Sequence, residues 1–560
     1  MAVEIERAGQ VAGAKARRGR RWVRGAVAIA LVLFAAVACG SADEATSGEV
    51  AGDAAAVGPP QSGGLLAYGL SADVSSLNPS IGQWNLSSYT VANAVFDPLA
   101  AVGEDGTVRP YLAESFSANG DFTSWTIRLR EGIEFHDGTP LDAQVVVANL
   151  EAAQASPLIG PALKTMSGVR AVDDLTAEIT FDTPWSTFPS SLTLQTGYMA
   201  APATLAGGAA ADPIGTGPFR FESRALGEKI ELVANDGYWR EGLPYLDAIE
   251  FRVIADGTSR GAALAAGDVD VIEIHDPSLL KSSIELADAG DIRLFTNEGQ
   301  ETDESVIALN TSKAPFDDLV ARQALAYAID QEVIAKEAYE GMFPAAWGNF
   351  EEGSPFAISR EDAGYPEPDP VKARELAEQY ERDHGEPLAF TFRIGSDPVL
   401  VSIAQYLQQT LREVGIEMTI ETGEFTANIA AVIGGNYQAS SFAMWSTPTL
   451  DKGYIFVATE PVIDGFSLNH TRLYDPELAA AMTKARATDD LAEQTEAWQQ
   501  AERRMAANLD RVFLVHNRYA IASVPQVRGF DQATFPEADE RSFNPTMVNP
   551  FPASLWLTAS

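Results

Sequence analysis

A single thiol limits how this chain can be held together. Cys39 is the only cysteine among 560 residues, and it precedes every segment with a folding pattern. No disulfide can form within the body, so buried apolar surface must stabilise it. The composition supplies that surface: 46% of residues are hydrophobic, including 26 Phe, 15 Tyr and 9 Trp. A chain this long exceeds what one hydrophobic core serves, so at least two lobes are expected.

The surroundings of Cys39 read as a targeting signal. Lys15, Arg17, Arg18, Arg20, Arg21 and Arg24 make a basic segment, and residues 25–38 that follow carry no charge. A membrane-spanning helix needs roughly 20 apolar residues, and this run is shorter. A basic segment, a short apolar run and small residues before a cut site predict a secretory signal peptide over residues 1–38. Cys39 then stands where a bacterial lipoprotein is cut and acylated, with Ala36 where Leu is commoner. An ordinary signal peptide with an incidental cysteine is the alternative, and Arg20-Arg21 also admits a twin-arginine signal. Residues 40–63 are small, acidic and rich in Gly and Pro, without an aromatic residue. With Cys39 they predict a disordered tether over 39–63. The expected location is the outer face of the cell membrane, or the periplasm of a two-membrane cell.

Charge excludes one class of partner. Residues 1–38 carry seven basic and two acidic side chains, so their removal takes the net charge from −39 to −44. Such a surface repels phosphate backbones, and nucleic acid is not an expected partner.

Enzyme signatures are missing from the sequence. Gly-Lys never occurs, which rules out a phosphate-binding loop of the G-x-x-x-x-G-K type, and neither G-x-S-x-G nor H-E-x-x-H is present. "GTGPFR" begins like a dinucleotide fingerprint but has Arg220 in place of the third glycine. The five histidines, His136, His275, His384, His470 and His516, are scattered. They form no local zinc pattern, and no metal or cofactor is expected. A carboxylate pair assembled in space stays open.

Beyond residue 63, strand-like and helix-like segments mix. "SWTIRLREGIEF" alternates through Trp125, Ile127 and Leu129 as a half-buried strand, and "HDGTP" follows as a turn. "LDAQVVVANLEAA" reads as a helix starting near Asp142, "LVARQALAYAIDQEVIAKEAY" as one long helix, and "LVSIAQYLQQTLREVGI" as a helix ended by Gly415. "LTAEITF", "AIEFRVI" and "EMTIET" are strands. The mixture predicts an α/β body without internal repeats.

Five stretches together resemble one family, the extracytoplasmic solute-binding proteins of peptide/nickel-type ABC importers (family 5). They begin at "LNPSIGQWNLSSYTVANAVFDPLA", "RPYLAESFSANGDFTSWTIRLREGIEFHDGTPLDAQVVVANLE", "PIGTGPFRFE", "ANDGYWREGLPYLDAIEFRV" and "ALNTSKAPFDDLVARQALAYAID". The resemblance spans roughly residues 64–530. It implies a two-lobed, periplasmic-binding-protein-like α/β fold (type II, cluster C), with an extra domain inserted in the first lobe. The implied division is 64–95, 213–305 and 528–560 for lobe 1, 96–212 for the insert, and 306–527 for lobe 2. The implied function is capture of a peptide-like or other small polar solute between the lobes. A permease and ATPase complex would receive it, and Cys39 would hold a monomeric receptor beside them.

A closing cleft needs aromatic faces and a few orienting polar groups. Gln83 and Trp84 lie in a polar loop after the first strand, and Trp445 ends a strand at a position where the family carries a cleft aromatic. "HDGTP" and "GTGPF" are expected to serve turns and packing, and Tyr238 and Trp239 to lie in a core. Oligopeptide binders of this family pair an Arg and an Asp around the Trp445 position. Here Phe442 and Pro448 replace them. An unpaired buried ammonium costs several kcal/mol. Capture of a free peptide amine by that pair is therefore not expected, unless Asp451 substitutes. A neutral or hydroxyl-rich solute suits the remaining groups. An extracytoplasmic hydrolase and a surface adhesion lipoprotein are the alternatives from other classes.

Overall fold

Alternation along the chain becomes strand faces. The computed structural model describes residues 58–82, 84–296, 303–396, 398–445, 453–463, 465–536, 538, 540–542 and 552–558. The signal segment, Cys39, Gln83, Pro448 and Asp451 lie outside them. On the strand Ser124–Leu129, Trp125, Ile127 and Leu129 are buried and Arg128 is exposed. Asp142 caps the helix Ala143–Ala155 by accepting from the Val145 amide at 2.9 Å. Gly415 follows the helix Pro398–Glu413 at φ +83°, a conformation glycine adopts without Cβ strain.

One expected helix is two. The run after Asp318 forms Leu319–Ala328 and Gln331–Glu337. Ile329 is extended between them, and the Asp330 carboxylate takes the Val333 amide at 3.1 Å to start the second helix. Periodicity continued across the break because both helices bury apolar residues in the same core. The short aspartate side chain ends the first helix by offering the backbone a cap.

Three main sheets organise the body. The first has seven strands in the order Arg293–Thr296, Ala520–Ser523, Val271–Ile274, Leu65–Leu70, Ala248–Val253, Lys229–Ala234 and Phe219–Ala225. Leu65–Leu70 runs parallel to both neighbours. The second is a four-stranded antiparallel sheet, with strands between Ala113 and Phe181, carrying the helix Ala143–Ala155. The third has five strands, ordered Glu417–Gly423, Ala389–Gly395, Ala439–Trp445, Asp303–Leu309 and Arg511–His516. The second sheet keeps a core of its own around Ile127, Val146, Leu150 and Ile179.

The chain passes between the first and third sheets twice. It leaves Thr296 and enters the third sheet at Asp303, then returns between His516 and Ala520. The expected boundaries at 305 and 527 are therefore corrected. The first cuts through the strand Asp303–Leu309, and the second falls after the strand Ala520–Ser523 has already joined the first sheet.

A buried carboxylate joins the second sheet's segment to the first. Asp97 accepts from Thr216 Oγ1 (3.1 Å), Tyr238 OH (3.1 Å) and Trp239 Nε1 (2.9 Å). Gly215 and Gly217 allow this approach. A Cβ at Gly215 would meet the Val95 carbonyl oxygen at 2.1 Å, and one at Gly217 would meet the Val95 carbonyl carbon at 2.5 Å. The turn at His136 docks on the same glycines. Its Nδ1 accepts from the Gly215 amide at 3.4 Å, so Nε2 carries the proton and donates to the Gly217 carbonyl at 2.9 Å. Both motifs thus serve packing.

Candidate functional site

A cavity of about 370 Å³ lies where all three sheet systems meet. The loop and helix after the first strand contribute Gly82, Trp84 and Tyr89. The segment of the second sheet contributes Leu158, Ile159, Ala162, Trp185, Leu194 and Gln195. The third sheet and its helices form the opposite wall, including Val306, Ile394, Ile429, Phe442 and Ile455. Its size is that of a small-molecule site.

Trp84 serves two surroundings at once. It is 2% exposed, its Nε1 donates to the Ser76 carbonyl at 3.0 Å, and its ring meets Tyr89 and Tyr198 edge-on at 5.3 and 5.2 Å. It belongs to the core behind the first sheet, and it also reaches the cavity wall. Trp445 closes the strand Ala439–Trp445 in register with Asp303, two positions beyond the cavity residue Ala443. Its side chain, Gln83 and Asp451 lie outside the described residues.

Phe442 is the residue that replaces the Arg expected from the resemblance. It lines the cavity and packs against the His470 ring, tilted by 31° with centroids 4.3 Å apart. Burial, reinforced by Arg511, pushes the His470 imidazole down to about 3, so the ring behind Phe442 is neutral. Several polar wall groups are committed inward. Gln195 donates to the Pro79 and Gly82 carbonyls (2.9 and 2.6 Å), and Asn428 to the Ile394 and Gly423 carbonyls (2.7 and 3.1 Å). Ser305 donates to Asn517 Oδ1 at 2.8 Å.

The two crossings are tied together beside the cavity. Asn517 donates to Asp303 through its amide, 2.7 Å from the backbone carbonyl, and through Nδ2, 2.7 Å from Oδ1. The Tyr519 hydroxyl donates to the same carboxylate. Further out, the two walls meet. The Arg486 guanidinium lies between the Trp185 ring (3.9 Å) and the Tyr454 ring (4.4 Å). Ser186 donates to the Arg486 and Thr488 carbonyls at 2.6 and 2.5 Å. Among the described residues, no group of three or more His, Cys, Asp or Glu side chains could hold a metal ion, and no helix is long and apolar enough to cross a membrane.

Sequence reading missed Trp185, Arg486 and the wall residues Ile429 and Ile433. The helix Phe425–Ile433 offered a signal. It is apolar on more than one side, so one face packs in the fold and another is left for the cavity. Trp185 sits in "DTPWSTFPSS", which has no period at all.

Two α/β bodies joined by two crossings, with one cavity walled by both, define a two-lobed solute-binding protein. The chain belongs to the bacterial extracellular solute-binding proteins, family 5, whose sequence profile matches residues 107–461. That is a family of binding proteins of ABC importers, not of enzymes. The chain is similar to the glutathione-binding protein GsiB of Pectobacterium atrosepticum, with 27% identity over 81% of this chain and 89% of that one. Among solved structures it resembles the binding protein AgaA of A. tumefaciens R10, in complex with agropinic acid. The TM-score is 0.76 and the identity 26%, covering 89% of this chain and 99% of that one. DppA of Helicobacter pylori, in complex with the peptide STSA, shares the fold. Its TM-score is 0.76 at 21% identity, over 89% and 98% of the chains.

Proposed function

We propose that this chain is the extracytoplasmic receptor of an ABC importer that encloses a solute of peptide-like size between its lobes and hands it to a permease. The cavity walled by both lobes carries this reading, because closing the lobes buries whatever occupies it. Family membership and the likeness to binding proteins for glutathione, agropinic acid and a peptide support it. Trp84 supports a ligand role through its place in the wall, and Trp445 through its place on the cavity strand. Gln83 adjoins Trp84 and is proposed as a further contact; Asp451 follows the same strand and is proposed as a contact whose carboxylate accepts from a solute's hydroxyl or amide groups. The receptor works as a monomer held by a lipid on Cys39.

The test is to produce the protein in its native host and identify by mass spectrometry what it releases on denaturation. A recurring small molecule that rebinds without being converted is expected. Conversion would favour a hydrolase, and absence of any bound solute an adhesion protein. Cys39→Ala is expected to shift the protein from the membrane fraction to the soluble one.

A further inference from the structure

We infer that the solute is neutral and has an apolar body, which narrows the receptor reading on which this inference rests. The cavity wall is built mainly from aliphatic and aromatic side chains contributed by every part of the fold. Ile159 and Leu194 face it from the insert, and Ile394, Ile429, Phe442 and Leu514 from the third sheet and its helices. No Asp, Glu, Lys or Arg lines it among the described residues. The polar wall groups are uncharged, and several are already engaged. The Gln195 and Asn428 amide nitrogens each serve two backbone carbonyls, and the Ser305 hydroxyl serves Asn517. Arg393, the cation nearest this wall in sequence, donates to Asn428 Oδ1 at 3.0 Å and pairs with Glu421 at 3.1 Å.

Two consequences follow from the chemistry. A carboxylate or ammonium carried into this cavity loses its water and finds no counter-charge on the described wall. An apolar body gains by displacing water from the same wall. Discrimination against charge is thus built into the described lining, and selection among neutral solutes rests on shape and on its few uncharged polar groups.

A matched pair of probes tests this. N-phenyl-1-naphthylamine is neutral, and 8-anilino-1-naphthalenesulfonate adds one sulfonate to the same rings. Both brighten in apolar surroundings. They are titrated into the soluble protein released by Cys39→Ala, a site 26 residues before the first strand at Leu65. The neutral probe is expected to bind once per chain, at least 100-fold tighter than the anion. Ala162→Trp from one wall, or Ser441→Phe from the other, fills the cavity. Whichever variant keeps the parent melting temperature should weaken the neutral probe at least tenfold. Equal affinity for the anion, neutral binding untouched by the filling variant, or no neutral binding overturns the inference. Scattering separates this failure from that of the receptor reading. If glutathione or the zwitterion Leu-Phe compacts the protein, the receptor reading stands and this inference falls. If the neutral probe fills the cavity but no solute from native protein compacts it, the receptor reading falls and the cavity preference stands.

Discussion

Asp97 and Trp84 show how single side chains serve both the fold and the site. Burial lifts the Asp97 carboxyl to about 6 despite the hydrogen bonds from Trp239, Thr216 and Tyr238. In the unfolded chain it titrates near 3.8. Between those values the folded state binds the proton more tightly. Raising the pH through that window therefore removes stability, on the order of 3 kcal/mol, and the loss is complete above pH 6. His136 works in the opposite sense: burial holds it down to about 4, so stability falls as the pH drops below 6.5. Asp97→Asn isolates the first effect. Its stability relative to the parent should rise between pH 4 and 6.5, read by urea unfolding at each pH. Trp84 sits mainly in the first lobe's core, so Trp84→Ala is expected to cost about 3–5 kcal/mol of stability, read in the same way. Sequence marked Trp84 as an aromatic in a polar loop, but Asp97 was invisible as a hub. Its three donors lie 119 to 142 residues away along the chain.

At the scale of elements, local pattern was the readable part. Strands that alternate and helices with a capping aspartate stood where the sequence put them, because those signals act within a few residues. The helix after Asp318 was misread where Asp330 interrupts a continuous apolar period. The contact between the walls was not readable, since Trp185 and Arg486 belong to loops and helix ends brought together only by the fold. That contact yields a prediction. A cation between two aromatic rings contributes about 0.5–2 kcal/mol. Arg486→Ala removes it while keeping the backbone carbonyl that Ser186 uses. If the contact favours the closed form, apparent affinity for the native solute should fall about 2- to 30-fold by calorimetric titration. The melting temperature of the solute-free protein should hardly change. An unchanged affinity would mean that Arg486 holds only its own lobe.

The whole molecule is a pair of lobes joined at Thr296–Asp303 and His516–Ala520. Fold class was legible from the mixture of strands and helices and from the five family-like stretches. The insert's share of the cavity was not, because Leu158, Ile159, Leu194 and Gln195 show no period that aims them at a ligand. Nor did composition reveal the cavity's apolar wall. A net charge of −39 describes the solvated surface, whereas the wall is set by side chains that converge from distant segments. The central claim is that the two lobes close on a solute in this cavity. Small-angle scattering tests it most directly, on protein carrying its native solute and on the same protein stripped by unfolding and refolding. The stripped protein should have the larger radius of gyration and should contract again when the extracted solute is returned. Superimposable curves in all three states, with solute bound, would contradict the claim.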